Sequence, residues 1–266
     1  MTDAVLARLA AASGVGAAQI HVVELGTARH VARDDGRWLY PASMIKLPLA
    51  VAVAAAIEGG VLAWDTPVTV DPANATLNDA PSPFVPGYRS DVRELVTFML
   101  QRSDNVATNQ LYDVLDRGRA TRAVHGLGFR ATFFRRKLSG AEPLIDDPQA
   151  SGRNSFPAAE CARLLAALAA GTLPQADALR TILATSWWDV KLNRGLGAGD
   201  AFAHKTGDTD EVSHDGGILT LAGGRRFVVV VYTELPSSEE NDQRFGAFMR
   251  ALRPHLLDAA ESTEAP

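Results

Sequence analysis

The sequence predicts an α+β fold: one antiparallel sheet made from the two ends of the chain, flanked by helices, with an all-helical segment inserted between the halves. Three observations carry this. A β-branched alternating run, QIHVVE at 19–24, stands near the start; helical periodicity fills the middle; three β-rich runs follow residue 195. Strands at both ends with helices between them give one sheet closed by the termini. The expected boundaries are 1–42 with 195–266 for the sheet part and 43–194 for the insertion, with a site at their interface.

Each element has a local reason. MTDAVLARLAAASG reads as an amphipathic first helix, because Asp3 and Arg8 interrupt what a signal peptide would keep apolar. RWLY at 37–40 is expected to pair with 19–24 across DDG. Residues 43–58 are apolar on almost every side, so this helix is expected to be buried all round. SDVRELVTFMLQ opens with Ser90 and a carboxylate before helical periodicity sets in. NVATNQLYDVL, FPAAECARLLAALAAG and PQADALRTILATS are further helices bounded by Gly, Pro or Asn. Residues 135–157 form a long polar, proline-bearing loop, of the kind that is functional or mobile. AFAHKTG, SHDGGILTLA and RRFVVVVYTEL read as strands, the last two joined at Gly223-Gly224, and SEENDQRFGAFMRALRPHLL as a closing helix.

Composition excludes several classes. The 266 residues are 47% hydrophobic and 21% charged, the balance of a globular chain with a sizeable core. A net charge of −5 without a basic cluster argues against nucleic acid or an anionic membrane as partner. The longest uncharged apolar run, Leu47 to Ile57, is far short of the roughly 20 residues of a membrane span. As given, the chain is expected to be cytoplasmic, or exported if a leader once preceded it. Cys161 is the one cysteine, so no intrachain disulfide forms, and it shares a helical face with leucines as a buried structural thiol. The histidines lack metal-ligand spacing, and there is no P-loop, G-x-G-x-x-G, G-x-S-x-G or H-E-x-x-H. No metal or cofactor is expected, the partner is a small-molecule substrate, and a monomer is the default.

Three short boxes point to chemistry. In SMIK, Ser43 and Lys46 are three apart and share a helix face. At a helix start, Ser43 has an unpaired backbone N–H and a favourable dipole for negative charge. A lysine one turn in, among apolar residues, loses its charge readily and becomes a base. The alternative is a serine cap and a snorkelling lysine, and S-x-x-K arises by chance on the order of once in such a length. Ser103-Asp104-Asn105 at a break between helices and Lys205-Thr206-Gly207 on a strand change the balance. Each could be a polar cap or an edge-strand lysine, but each tripeptide has a chance expectation of roughly a few per cent. All three in this order make a strong set.

SMIK, SDN and KTG resemble the boxes of serine β-lactamases and penicillin-binding proteins, and their spacing is closest to class A β-lactamases. The likeness covers nearly the whole chain and implies the fold inferred above. It implies that Ser43 attacks a carbonyl to form an acyl-enzyme and that Lys46 takes its proton. Ser103, held by Lys205, would relay a proton to the leaving group. Asn105 would hold Lys46 and the substrate amide; Thr206 with Ser103 would bind a substrate carboxylate, and Gly207 completes the box. Backbone N–H groups of Ser43 and Asp208 would form an oxyanion hole. Two lysines converging on one serine also lower each other's pKa.

Two departures matter. Class A enzymes deacylate with a loop glutamate followed four residues later by asparagine; here Glu142 is followed four on by Asp146, and a solvated carboxylate is the favoured reading of Glu142. Asp208, directly after KTG and close to Asp210 and Glu211, is expected to make that rim acidic and to disfavour an anionic ligand. The loop and following helix resemble β-lactamase-related serine hydrolases, which implies acylation with slow turnover of penicillins. The alternatives are a true class A β-lactamase, a D-alanyl-D-alanine peptidase and a penicillin-recognising binding domain. His214-Asp215 is expected to be a strand-end polar pair near the site mouth, not part of a triad, and Trp187-Trp188 an aromatic pair packed between domains.

Overall fold

A computed structural model of the chain describes residues 1–141 and 143–258. Five strands form one antiparallel sheet in the order β2-β1-β7-β6-β5: β1 (Gln19–Glu24), β2 (His30–Arg33), β5 (Ala201–Asp208), β6 (Ser213–Thr220) and β7 (Arg226–Thr233). The first and last thirds of the chain therefore share one sheet, and β7 at its centre, with Val228 to Val231 all buried, is covered on both faces. On one face Ile20, Val229 and Val231 pack with Phe245, Phe248 and Met249 of α8 (Glu239–Asp258) and Leu6 of α1 (Asp3–Ala12). On the other, Ile218, Val228, Val230 and Tyr232 join the core of the intervening helices. This alternation is the period of two a strand dictates.

Those helices are α2 (Lys46–Glu58), α3 (Val92–Gln101), α4 (Asn105–Leu115), α5 (Arg117–Gly126), α6 (Ala158–Ala169) and α7 (Ala176–Leu183). Residues Lys46 to Ala54 of α2 are all buried, as its unbroken apolar surface requires. Cys161 on α6 is fully buried beside Leu164, Leu165 and Leu168, and burial pushes its thiol pKa up, leaving it inert. No helix among the described residues is long and apolar enough to cross a membrane.

Two expectations need correction, and two further elements were not expected. RWLY is not a strand; β1 pairs with His30–Arg33, in a register that sets Val22 opposite Val31. Asp34 instead caps the turn that follows, accepting from Gly36 N–H at 2.8 Å, and Gln19 Nε2 donates to Arg37 O at 2.8 Å, so the segment folds over the sheet end toward Ser43. The helix after Ser90 begins two residues later, with Asp91 accepting from Glu94 N–H and Ser90 Oγ donating to Glu94. The polar helix α5 shows no apolar stripe in sequence; it starts at Asp116, whose side chain accepts from Arg119 N–H at 2.9 Å. A three-residue pair, β3 (Pro67–Thr69) with β4 (Arg89–Asp91), is too short to signal itself.

Candidate active site

Ser43 lies in a 3-10 turn, Ala42–Ile45, that runs straight into α2. The preceding Ala42 has φ 47°, a left-handed conformation that costs a side-chain-bearing residue on the order of 1 kcal/mol or more. Strand β5 passes beside this turn, and Gly207 makes the approach possible: a Cβ there would sit 3.1 Å from both Met44 N and Pro41 O. The KTG glycine thus sets how closely the strand meets the serine.

Five of the sequence-predicted residues converge. Lys46 Nζ is 2.9 Å from Ser43 Oγ, 3.1 Å from Ser103 Oγ and 2.8 Å from Asn105 Oδ1, and it also donates to the Ser103 carbonyl. Lys205 Nζ lies on the far side of Ser103, 2.9 Å from its Oγ and 2.8 Å from Thr206 O. Asn105 also lines the cavity, and its Nδ2 donates to Leu77 O at 3.0 Å. Ser103, like Ala42, has positive φ, at 59°, in the break between α3 and α4. The break is fixed by Asp104, whose side chain caps α4 through Ala107 N–H.

Both amines are fully buried. Burial, then the charge of Lys205, holds the Lys46 pKa well below the ordinary lysine range; burial lowers that of Lys205 to about 7. Neither ammonium touches a carboxylate, which would have held it charged. A neutral Lys46 amine has a lone pair for the Ser43 hydroxyl proton.

The residues open onto a cavity of about 900 Å³ lined by Ser43, Ser103, Asn105, Thr206, Gly207 and Asp208. The long loop forms another wall and is pinned, not free. Asn109 on α4 holds both backbone groups of Leu138, each at 2.8 Å; Asn154 accepts from Arg135 N–H and Arg136 N–H; Arg117 makes a bidentate pair with Asp147 at 2.6 and 2.7 Å. Leu138 itself is buried against the cavity. Glu142 lies outside the described residues.

The rim differs from a simple acidic edge. Asp208 is ion-paired at 2.6 and 2.7 Å with Lys191, a buried residue that sequence reading passed over, since a lone lysine in a loop carries no motif. Glu211 pairs with Arg153 at 2.9 Å, and the Arg153 guanidinium lies over the Tyr40 ring. Asp210 remains exposed. His214 and Asp215 are not at the mouth but in the core of β6. His214 Nε2 is 2.8 Å from Tyr40 O, its ring stacks on Tyr232, and burial drops its pKa to about 4. Asp215 serves His204 at 2.8 Å and Leu192 N–H at 3.0 Å, so neither residue reaches Ser43. Of the two tryptophans, Trp188 lines the cavity while Trp187 is exposed under the Arg102 guanidinium, so they do not pack as a pair between domains.

Comparison with solved structures gives the same architecture. PBP-A superposes with a TM-score of 0.81 at 22% identity, covering 96% of each chain. A leucine-to-glutamate variant of PBP-A, an acyl-enzyme complex with penicillin G, gives 0.83 at 21% identity over 97% of this chain and 98% of that one. A β-lactamase from Sphaerobacter thermophilus DSM 20745 gives 0.78 at 24% identity over 99% of both. No curated protein matches in sequence. The model of the β-lactamase enzyme family matches residues 2–255, and the chain belongs to that family of serine hydrolases acting through an acyl-enzyme.

Proposed function

We propose that the chain acylates Ser43 with a penicillin-like lactam or a small ester and releases the product slowly. The observation that carries the reading is the fully buried Lys46 amine, 2.9 Å from Ser43 Oγ and without a carboxylate in contact. Lys46 accepts the hydroxyl proton as Oγ bonds to the carbonyl carbon. The oxygen charge is held by the Ser43 and Asp208 backbone N–H groups, each worth roughly 3–4 kcal/mol in such sites. Ser103, between the two amines, passes its hydroxyl proton to the leaving nitrogen or oxygen as its bond to carbon breaks, and Lys46 replaces it with the proton taken from Ser43 while Lys205 holds Ser103 in place. Asn105 fixes Lys46, and Thr206 meets the substrate from β5. Residues 43–194 act in this reading as an insertion between the halves of the sheet, with the site at the seam.

Slow release rests on the loop. Its described residues on the cavity wall are Arg136 to Ala141, Leu144 and Arg153, and none is a carboxylate that could activate water. Leu138 stands there on a backbone clamped by Asn109.

Intact-protein mass spectrometry after benzylpenicillin, over seconds to hours with Ser43→Ala as control, tests both halves. The expected result is a lasting adduct of the whole antibiotic on the wild type alone. Leu138→Glu should shorten the adduct lifetime at least about tenfold, since a fixed carboxylate acts as general base. Rapid turnover lost in Glu142→Ala would overturn slow release and favour a class A β-lactamase; no adduct with any lactam or ester overturns the acyl-enzyme itself.

A further inference from the structure

Beyond the three boxes, Asp208 on the cavity wall forms a charged pair with the buried Lys191 that the acylation chemistry does not use. Lys191 is 1% exposed, and its Nζ donates to both oxygens of Asp208, to His214 O at 3.0 Å and toward Gly207 O at 3.4 Å, with the Phe245 ring beneath it at 5.6 Å. Its φ is 56°, so it shares with Ala42 and Ser103 a left-handed backbone that a side chain adopts at a cost. Asp208 follows KTG directly, is partly exposed on the cavity wall, and also accepts from Ser213 Oγ at 3.0 Å. Asp208 therefore presents its carboxylate at the cavity wall, while Lys191 is buried behind it.

The surroundings offer no replacement at this edge. Asp210 and Glu211 continue the strand end, Arg153 is engaged by Glu211, and burial raises the pKa of Asp242 nearby. Lys205 faces Ser103 and Thr206 O. Arg136 enters the wall from the long loop, not from β5.

Resting on the acyl-enzyme reading above, we propose that the Thr206–Asp208 edge favours a neutral or cationic substrate group over a carboxylate, so that benzylpenicillin, which carries one, acylates Ser43 more slowly than a neutral ester does. Asp208, as the built-in counter-ion of Lys191, is the specificity-determining residue. A ligand anion meets the Asp208 carboxylate with Asp210 close by; an amide or ammonium meets acceptors.

The test uses three activated nitrophenyl esters matched in length, whose acyl chains end in a methyl, a trimethylammonium or a carboxylate. Acylation is read from the nitrophenolate burst and the adduct mass. For the wild type the carboxylate ester should react at least about tenfold more slowly than the methyl ester, with the gap narrowing at high salt. Asp208→Asn keeps the backbone N–H, removes the carboxylate from the wall and leaves the buried Lys191 charge uncancelled, so the carboxylate ester should gain about tenfold relative to the methyl ester. Lys191→Met added to Asp208→Asn should remove part of that gain. Equal wild-type rates for all three esters overturn this inference alone, and need no variant to fold. An Asp208→Asn that shifts all three rates alike overturns it too. No acylation by any ester overturns the acyl-enzyme reading and this inference with it.

Discussion

Lys46 and Lys191 are both amines buried behind the wall of one cavity, yet they have opposite surroundings. Lys46 meets hydroxyl, carbonyl and amide oxygens only; Lys191 meets both oxygens of a carboxylate. Burial without a counter-charge disfavours the ammonium, whereas an adjacent carboxylate favours it. In the proposed mechanism the first arrangement makes a base, whereas the second pairs its lysine with a carboxylate inside the protein. The difference teaches that the chemistry-bearing lysine is marked by what it does not touch.

The largest break in this contrast comes from removing the base. Lys46→Met should lower the rate of Ser43 acylation by about 10²–10⁴-fold, the usual span of general base catalysis, read by stopped-flow burst kinetics. Across pH, wild-type acylation should rise with a midpoint well below the ordinary lysine range, because the free amine and not the ammonium is active. A midpoint near the unperturbed lysine value would mean that Lys46 is not the base.

Removing the paired lysine acts on folding instead. Lys191→Met leaves Asp208 partly buried without its partner; a fully buried broken pair costs about 3–5 kcal/mol, and the 30% exposure of Asp208 reduces this to about 1–3 kcal/mol. Urea unfolding measures it. The double variant Lys191→Met with Asp208→Asn should recover part of the loss, since the stranded charge is gone.

What was legible in the sequence follows the same division. Ser43, Lys46, Ser103 and Lys205 could be proposed as a set because their boxes are short and local, and α2 could be read because it is apolar on all sides. Lys191 could not, because its role depends on β5 and β6 bringing Asp208 and the His214 carbonyl to it from 17 and 23 residues away. The β2 pairing was misread for a related reason. RWLY has strand-like composition, but its backbone is taken up by Gln19 and by His214, contacts that no local pattern encodes. The acidic edge was likewise read from composition, which counts Asp208 and Glu211 without their partners.

The contrast also has a pH signature in stability. Lys205 has a folded pKa of about 7 against an ordinary 10.5, so above pH 7 the unfolded chain binds more protons than the folded one. Stability from this group is lowest below pH 7 and rises between pH 7 and 8.5, by up to about 1.4 kcal/mol per unit. Lys46 acts in the same direction. Above that window the Cys161 thiol, raised in the fold, begins to pull the other way. Lys205→Met should flatten the rise in urea midpoints between pH 7 and 8.5; an unchanged slope would contradict a neutral buried Lys205.

The smallest effect sharpens the comparison from the surface. Arg153 and Glu211 form an ion pair much like Lys191–Asp208 in distance, 2.9 Å, but both partners are about half exposed. Water and salt screen such a pair, so Glu211→Gln should change stability by no more than about 0.5 kcal/mol. Its effect should shrink further in 0.5 M salt, while that of Lys191→Met persists, because a buried pair is poorly screened. If the two variants instead responded alike to salt, the Lys191–Asp208 pair would be solvated in solution, and its carboxylate could swing away to leave the lysine open to an anionic substrate.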